Sequence, residues 1–474
     1  MPYPSSKTAK LLWFDWDTRE EILRRVITER LAESTPKVPK DHLLATYFFA
    51  LRSWTLEEAS KEIAYHATSG IKKQPKGSLL EKCTARMVGT DPFDRTGRMG
   101  LLHMAFPLKM LRQVDGHITS TDVFHTIAGA IIFDVYENQD ARLVRVELPP
   151  EVIRTFPGPA HGPAGFRSLT KLGSNEVAFG TILKPTAGIT DSDVERLVTD
   201  VAQCSLFSFV KEDENLYPNL DYAPIRARAR KAAQAVRRIR EKTGRPLIFA
   251  PHITGAPHEI VQTIDTVLEA GVQGVMFSES FATGAVRLVR ERTRRLATPP
   301  LIYGHNAGIG VRTRAIWREV IDLFARLDGI DFRQTAPVRP GQPFLKPYGD
   351  EWVASEEILT RPLPGINPTT LVRAGSLDQG NIGLNLADVE NRGVLDKVLF
   401  LAGSAINSIY DRNGKANVEL GAEAMLQAID IHRSGALSGV APKNHLKALY
   451  AFAQKKRLKS LAEALRQRYS LPAR

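Results

Sequence analysis

The chain has 474 residues, of which 43% are hydrophobic and 24% charged, so it is long enough for two domains with substantial cores. No apolar run reaches the roughly 18 residues that a membrane-spanning helix needs, and the first residues lack the layout of a signal peptide, so we expect a cytoplasmic protein with no membrane partner. The two cysteines, Cys83 and Cys204, exclude a disulfide framework and a multi-thiolate zinc site. Any metal should therefore bind through oxygen or imidazole.

The net charge of +12 is concentrated at the carboxyl end. Residues 441–474 contain nine Lys or Arg and one acid, Glu463, so they supply +8 of the total. Leucines at near-helical spacing predict one or two amphipathic helices there. We expect the apolar side to pack under the main domain or against another subunit and the basic side to be solvated, which makes a nucleic-acid partner unlikely.

The pattern along the chain predicts three segments. Residues 1–155 mix helical and strand patterns, as in an α+β domain, and Thr55 with Glu58 forms the layout of a capping box. A stretch rich in Gly and Pro from Phe156 to Gly165 then interrupts all periodicity and marks a boundary. Residues 156–440 form the second segment, and a basic helical extension, 441–474, forms the third.

Short apolar runs alternate with helical stretches throughout the second segment. The strand-like runs are 177–183, 208–211, 246–250, 274–277, 300–303, 329–332, 362–366 and 397–402, and the helical stretches between them include 193–204, 226–242, 258–270, 285–295 and 313–326. Eight alternating units predict an α/β fold, a (β/α)8 TIM barrel with parallel strands. A doubly wound open sheet is the alternative, because counting units does not show closure.

Charged residues cluster where the second predicted strand ends. Alternation places Lys211 and Asp213 on one side, with Glu214 turning in from the loop. An ordinary solvated loop explains such a string as well. The functional interpretation is a Mg²⁺ site, because Mg²⁺ prefers hard oxygen ligands, with Asp213 and Glu214 supplying two. Carbamylation of Lys211 by CO2 would turn a repelling cation into a third oxygen ligand.

Other strand ends carry further candidates. Lys184 follows the first strand and is succeeded by Pro185, a position that suits proton transfer, although a snorkelling lysine is the simpler interpretation. His305 follows the fifth strand, and Gly403 with Ser404 follows the eighth, where backbone N–H groups can bind a phosphate.

Together these residues resemble the large subunit of ribulose-bisphosphate carboxylase/oxygenase, RuBisCO. The string FxKxDE at 209–214 is similar to the core of the family signature, and GTILKP at 180–185 resembles the strand with its catalytic lysine. The resemblance implies a carbamylated Lys211 that binds Mg²⁺ with Asp213 and Glu214, catalytic roles for Lys184, His305 and Lys211, and a homodimer or higher homo-oligomer. It also implies that Thr68–Gly70 covers the barrel of a neighbouring subunit.

Several departures from the carboxylating members are visible. His66 stands where they have a glutamate, Ala130 where they have an asparagine, Asn306 where they have an arginine and Gln334 where they have a histidine. The mobile loop that carries a lysine is unrecognisable, with Arg339 and Lys346 out of register, and 367–369 replaces a serine-glycine-glycine stretch. The chain therefore resembles a RuBisCO-like protein of the form IV type.

The predicted function is Mg²⁺-dependent enolisation of a phosphorylated keto-sugar or oxo-acid sugar, by enolase, isomerase or decarboxylase (lyase) chemistry without carbon fixation. The residues assigned to substrate binding are Thr369, Gly403, Ser404, Asn306 and Gln334. One alternative is genuine ribulose-bisphosphate carboxylation. The alternative from another class is a non-catalytic anion-binding protein.

Overall fold

The computed structural model describes residues 16–129, 132–281, 284–338 and 350–472. The chain divides into two compact units, Met1–Val152 with Arg314–Val320, and Ile153–Thr313 with Ile321–Arg474. Residues 441–474, predicted as a separate extension, fall within the second unit.

The first unit is built on a four-stranded antiparallel sheet. Its strands, in chain order, are His42–Leu51, Arg86–Pro92, Met99–Pro107 and Asn138–Glu147, and the first lies between the third and fourth. The helices are Trp16–Ser34, Leu56–Ala64, a π-helical turn Tyr65–Ser69, Leu79–Lys82, a 3-10 turn Leu108–Met110 and Ser120–Ile127, and Pro150–Ile153 crosses into the second unit. The capping box of Thr55 and Glu58 forms as predicted. The expected α+β character is confirmed.

The second unit contains eight parallel strands. Barrel strands 1 to 8 are Ala178–Ile182, Phe209–Lys211, Ile248–Ala250, Gly274–Phe277, Leu301–Gly304, Phe332–Thr335, Thr370–Ala374 and Val398–Ala402. Consecutive strands pair, strand 8 pairs with strand 1, and strands 3 and 4 join where Met276 N–H donates to the Pro251 carbonyl at 2.9 Å and Ile253 N–H donates to that of Met276 at 3.0 Å. The sheet therefore closes as a barrel, which confirms the prediction over the open sheet.

The helices of the second unit lie before, between and after the barrel strands. They are Gly162–Thr170, Asp191–Gln203, Ile225–Thr243, Pro257–Glu269, a 3-10 turn Glu279–Phe281, Ala285–Thr293, Ile309–Arg312, Arg318–Asp328, Asp350–Thr360, Ile382–Asn391, a 3-10 turn Leu395–Lys397, Ser404–Asn407, Val418–Arg433, Pro442–Lys455 and Lys459–Tyr469. A small hairpin, Asn219–Leu220 with Ala223–Pro224, lies in the loop after strand 2. Capping defines at least one helix start, since Thr190 and Asp193 exchange side-chain and backbone hydrogen bonds.

Two cores follow from the alternation of side chains along each barrel strand. One alternate set fills the barrel interior and includes Phe209, Ile248, Met276, Tyr303, Phe332, Val372 and Leu401. The other set faces the helices and includes Phe179, Val210, Phe249, Val275, Ile302, Leu371 and Phe400. The filled interior leaves the carboxyl ends of the strands as the place for a site.

The predicted seventh strand at 362–366 is wrong, because that segment is a turn and the strand is Thr370–Ala374. Its helix-facing position holds Arg373, which is buried because it pairs with Glu356 at 3.3 Å and Asp388 at 2.5 Å. A search for apolar runs passes over such a strand and selects the proline-containing segment before it. The sixth strand is likewise shifted to Phe332–Thr335, with Arg333 on its outer side paired to Asp322 at 2.6 Å.

The predicted helix 313–326 is also displaced. The structure has a single turn at Ile309–Arg312 and a helix at Arg318–Asp328. The segment Arg314–Val320, which includes the first residues of that helix, belongs to the first unit, where Trp317 N–H donates to the Leu143 carbonyl at 2.9 Å and Leu143 N–H donates to the Ala315 carbonyl at 2.8 Å. Tertiary contact, which local spacing does not reveal, interrupts the helix.

The carboxyl-terminal segment, predicted to form one or two amphipathic helices, forms two, Pro442–Lys455 and Lys459–Tyr469. Their apolar positions Leu449, Ala453, Leu461 and Leu465 are buried in the helix-facing core of the barrel unit. The basic side chains Lys455, Lys456 and Lys459 are exposed. Within the part of the chain that is described, no helix is both long enough and apolar enough to cross a membrane.

We predict that Leu461→Ala destabilises the protein by about 2–5 kcal/mol, because it leaves a cavity among buried apolar groups. Lys459→Ala, on the exposed side of the same helix, is the matched control and should change stability little. Thermal and denaturant melts measure both variants. Equal melting temperatures for the two variants would contradict the structural role of this helix.

Candidate active site at the carboxyl ends of the barrel strands

The loop after barrel strand 2 places three charged side chains around the barrel mouth. Lys211 ends the strand and is completely buried, Asp213 is buried, and Glu214 is partly exposed. Glu212, between them, is directed away from this group. The structure thus brings the three predicted metal ligands to one strand end.

Glu212 anchors this loop through a buried ion pair with Arg228 of the helix Ile225–Thr243. Arg228 Nε donates to Glu212 Oε1 at 2.8 Å, and both side chains are fully buried. The remaining guanidinium nitrogens donate to backbone carbonyls of the same loop, those of Leu216, Pro218 and Ala223. The second Glu212 oxygen accepts from the His252 N–H at 2.9 Å. The loop is therefore tied to its helix and to strand 3.

Lys184, at the end of strand 1, contacts the same group. Its Nζ donates to Asp213 Oδ2 at 2.6 Å, and the other Asp213 oxygen accepts from the backbone and side-chain amides of Asn215 at 3.1 and 3.0 Å. Asp213 is thus oriented from two sides. Through its hydrogen bond to Lys184, Asp213 directs the Lys184 ammonium into the barrel mouth.

Lys211 lies deeper than the other charged groups. Its Nζ donates to the Glu212 carbonyl at 3.0 Å, lies 3.9 Å from Glu214 Oε2 and sits 5.5 Å from the centre of the Tyr303 ring. Burial lowers the pKa of Lys211 to about 8. Burial therefore raises the neutral fraction of this amine above that of an exposed lysine.

His305 faces Glu214. Its Nδ1 accepts from the Ala307 N–H at 3.1 Å, so Nε2 carries the proton and donates to Glu214 Oε2 at 3.3 Å. Burial, reinforced by the charge of Lys211, holds the pKa of His305 well below its ordinary value. The neutral ring therefore orients the carboxylate of Glu214 by a hydrogen bond.

Asn306 and Gln334, both assigned to substrate binding, lie next to each other. Asn306 Nδ2 donates to the Gln334 carbonyl at 2.8 Å, and Tyr303 OH donates to Gln334 Oε1 at 3.0 Å. Tyr303, which sequence reasoning missed, therefore joins this pair to Lys211. The only signal for it was its place two residues before His305.

The turn after strand 8 lies beside Lys184. A Cβ added at Gly403 would lie 3.4 Å from Lys184 Cε, so the lysine side chain passes close to the turn. Asn407 Nδ2 holds the turn by donating to the carbonyls of Ile182 and Gly403 at 2.9 and 3.0 Å. Ser404 is exposed. Gly403 and Ser404 thus sit at the same barrel mouth as the charged group.

Thr369 does not share this position. It precedes strand 7, and its hydroxyl donates to the Ile330 carbonyl at 3.0 Å near the amino ends of the strands. Its assignment to substrate binding followed from the misplaced strand 362–366 and loses its basis. Strand 7 is followed by Gly375 and then Ser376, whose φ of 63° places a residue other than glycine in the left-handed region.

Some predicted departures lie elsewhere. Ala130, Arg339 and Lys346 are outside the described residues. His66 lies in the π-helical turn of the first unit, where its Nε2 is 3.4 Å from Glu62 Oε2. Thr68 donates to the Ala64 carbonyl and accepts from the Ala85 N–H at 3.1 Å.

In the structure, the side chains near Lys211 supply only part of the set of oxygen ligands that a hard cation needs. Among the described residues no group of three or more His, Cys, Asp or Glu side chains could hold a metal ion. Two carboxylates, Asp213 and Glu214, are present, and each faces a lysine or histidine nitrogen at 2.6–3.9 Å. Lys211 in carboxylated form would complete a set of three anionic oxygen donors, which fits Mg²⁺.

Residues 164–342 match the catalytic domain of the ribulose bisphosphate carboxylase large chain. This part of the chain therefore resembles the RuBisCO large-chain catalytic domain, in agreement with the resemblance of its strand-end residues.

Curated relatives resemble parts of the chain. It is 31% identical over 218 residues to a 3-oxo-isoapionate-4-phosphate transcarboxylase/hydrolase of Xanthobacter autotrophicus, covering 44% of this chain and 50% of that protein. It is 28% identical over 311 residues to a 3-oxo-isoapionate-4-phosphate decarboxylase of Rhizobium rhizogenes, covering 64% and 70%. The chain thus spans half the length of the first relative and 70% of the length of the second.

Solved structures share the fold. The octameric RuBisCO of Pyrococcus horikoshii has a TM-score of 0.75 and 21% identity, covering 93% of this chain and 96% of that one. A rubisco-like protein of Burkholderia fungorum has a TM-score of 0.71 and 21% identity, covering 90% and 99%. At such identities the likeness shows that the RuBisCO fold is present.

We predict that Asp213→Asn weakens Mg²⁺ binding by at least about tenfold, since it removes an anionic oxygen from the donor group. Isothermal titration with MgCl2 in bicarbonate buffer measures the affinity, and circular dichroism checks the fold. Asp221→Asn, in the same loop but exposed, is the matched control. Mg²⁺ binding that is equal in both variants would contradict this site.

Proposed function

We propose that the chain is a Mg²⁺-dependent RuBisCO-like enzyme that enolises or decarboxylates a phosphorylated keto-sugar or oxo-acid sugar, without fixing CO2. The observation that carries the proposal is the convergence of Lys184, Lys211, Asp213 and Glu214 at one barrel mouth. Two lysines and two carboxylates so close together, in a partly buried group, are typical of proton-transfer sites.

Asp213, Glu214 and carbamylated Lys211 would hold the metal. Bound Mg²⁺ polarises a substrate carbonyl and so stabilises negative charge that develops on its oxygen. Carbamylation is supported by the burial of Lys211, whose nearest carboxylate oxygen is 3.9 Å away, beyond hydrogen-bonding distance. Net charge supports it as well. Carbamylation by CO2 releases two protons and turns the Lys211 ammonium, charge +1, into a carbamate, charge −1, so that with an added divalent cation the group of Lys184, Lys211, Asp213 and Glu214 is neutral both before and after.

Lys184 is the residue placed to move a proton. In enolisation the Lys184 amine, after it has released its own proton to solvent, accepts the proton from the carbon next to the carbonyl, and the C–H electron pair enters the enolate. In decarboxylation the bond to the carboxylate carbon breaks instead, CO2 leaves, and the Lys184 ammonium returns a proton to the same carbon. Asp213, 2.6 Å from Nζ, keeps the amine aimed in both cases.

The relatives support a substrate with one phosphate. Both are named for 3-oxo-isoapionate-4-phosphate, a phosphorylated oxo-acid sugar. The turn at Gly403 and Ser404 would receive the phosphate. Asn306 and Gln334 stand where the resemblance places a cation for a second phosphate, and their hydrogen bonds in the structure join them to neighbouring polar groups. They suit the hydroxyl groups of the substrate.

We predict Mg²⁺-dependent exchange of an α-proton with D2O, or release of CO2, when the protein is incubated with 3-oxo-isoapionate-4-phosphate. Proton NMR follows exchange and phosphorus NMR follows product. Lys184→Met should slow the reaction about 10²–10⁴-fold, because it removes the group that transfers the proton. Lys242→Met, an exposed lysine in the helix Ile225–Thr243, is the matched control.

The same assay separates the alternatives. Incorporation of labelled bicarbonate into ribulose bisphosphate would show a carboxylase and contradict the proposal. Binding of phosphorylated sugars with neither exchange nor CO2 release across a panel of oxo-acid and keto-sugar phosphates would favour the non-catalytic anion-binding protein.

We also propose that the protein is a homodimer or higher homo-oligomer. The similar Pyrococcus structure is described as octameric. In the first unit Ile71 is 51% exposed, directly after Gly70, whose φ of 64° ends the π-helical turn. This apolar side chain beside Thr68–Gly70 suits burial against a second copy.

Ile71→Glu is expected to weaken association at least about tenfold, because it places a charge in an apolar contact. Analytical ultracentrifugation over a concentration series measures the effect. Val114→Glu, at another exposed apolar residue of the first unit, is the control. A wild-type monomer at every concentration would overturn the proposal.

A further inference from the structure

The last turn of the helix Lys459–Tyr469 reaches the loops that follow barrel strands 7 and 8. Arg468 Nε donates to Asp378 Oδ2 at 2.5 Å in the first loop. Its Nη1 donates to Ser404 Oγ at 3.4 Å in the second. One guanidinium group therefore joins the carboxyl end of the chain to the turn beside Lys184.

Asp378 is a hydrogen-bond acceptor for Arg468 that several other donors hold in place. This carboxylate is buried and accepts from Tyr469 OH at 2.8 and 2.9 Å, and its Oδ1 also accepts from the Gly380 N–H at 2.8 Å. Gly380 lies against the Tyr469 ring, because an added Cβ would be 2.6 Å from the hydroxyl oxygen. With so many donors, Asp378 is a fixed acceptor and does not depend on Arg468 alone.

A second contact holds the same helix on the strand 8 loop. Tyr410 N–H donates to Gln467 Oε1 at 2.9 Å, and Gln467 Nε2 donates to the Tyr410 carbonyl at 2.8 Å. These two hydrogen bonds fix the position of the last helical turn relative to the loop. The position of Arg468 relative to Ser404 is therefore determined at two places.

The remaining edge of the guanidinium group is directed at the turn. Nε donates to Asp378 and Nη1 donates to Ser404 Oγ, so the Nη1 side of the group lies toward the turn, and the side chain is 24% exposed. Ser404 is itself exposed. The loops after strands 7 and 8 of TIM barrels frequently bind phosphate, and a guanidinium edge matches two phosphate oxygens.

We propose that Arg468 is a phosphate-binding residue that the carboxyl-terminal helix supplies to the barrel mouth. Its ligand is the phosphate monoester of the substrate, which the group meets together with Ser404 Oγ and the Gly403 turn. The inference rests on the proposed function for the identity of that substrate. It assigns part of the basic carboxyl-terminal segment to substrate binding.

The test is titration of the full-length protein with inorganic phosphate, without Mg²⁺, by isothermal calorimetry. Arg468→Ala should weaken phosphate binding about 10–100-fold, the range for a lost hydrogen-bonding partner of a charged group. Arg466→Ala, which removes the same charge two residues away on the same helix and pairs with Glu463, should change it less than about twofold.

A second variant separates binding from positioning. Tyr469→Phe removes a hydrogen bond to Asp378 and leaves the guanidinium group, so it should lower the melting temperature while phosphate affinity stays within about twofold. Equal losses in Tyr469→Phe and Arg468→Ala would show that Arg468 only positions the loop, and would overturn the proposal. So would unchanged affinity in Arg468→Ala, or no phosphate binding by the wild-type protein.

These outcomes are independent of turnover. If wild type and Arg468→Ala differ in phosphate affinity but no substrate exchanges its α-proton, the phosphate site stands and the proposed function fails. If exchange occurs and phosphate affinity is unaffected, the proposed function stands and this inference fails.

Discussion

The buried ion pair between Glu212 and Arg228 is the constraint on which the barrel mouth depends. Both side chains are fully buried, and the guanidinium group also binds three carbonyls of the loop after strand 2. Loss of one partner from such a pair typically costs about 3–5 kcal/mol, because the other charge remains buried. The pair therefore fixes the conformation of that loop, and with it the positions of Lys211, Asp213 and Glu214 at the site.

The neighbouring charges are arranged so that each one orients another. Lys184 and the amides of Asn215 hold Asp213, and His305 holds Glu214. Lys211 alone lacks a carboxylate within hydrogen-bonding distance among the described residues. Burial raises the free energy of its charged form, so the group least satisfied as a cation lies at the centre of the cluster. The proposed modification of Lys211 and binding of a divalent cation would relieve this imbalance.

The opposite side of the barrel mouth is built from more distant parts of the chain. Asn407 connects the end of strand 1 to the turn after strand 8, and the helix Lys459–Tyr469 connects that turn to the loop after strand 7. Leu461 and Leu465 bury the helix in the core of the barrel unit. The same helix thus contributes to stability through one side and reaches the site through its last turn.

The amino-acid sequence by itself determined the alternation of strands and helices from which the barrel is built, because short apolar runs and helical stretches of period 3.6 are local patterns. Closure was decided by the tertiary structure, in which backbone hydrogen bonds join strands 3 and 4. It also determined the cluster at Lys211, since three of its members are adjacent in the chain. Only the tertiary structure decided the positions of strands 6 and 7, whose buried arginines Arg333 and Arg373 pair with Asp322 and Glu356, 11 and 17 residues away on preceding helices. The contacts of Tyr303 and Arg468 were likewise invisible, because the burial of a polar group and the partner that satisfies it are set by residues that meet only when the chain folds.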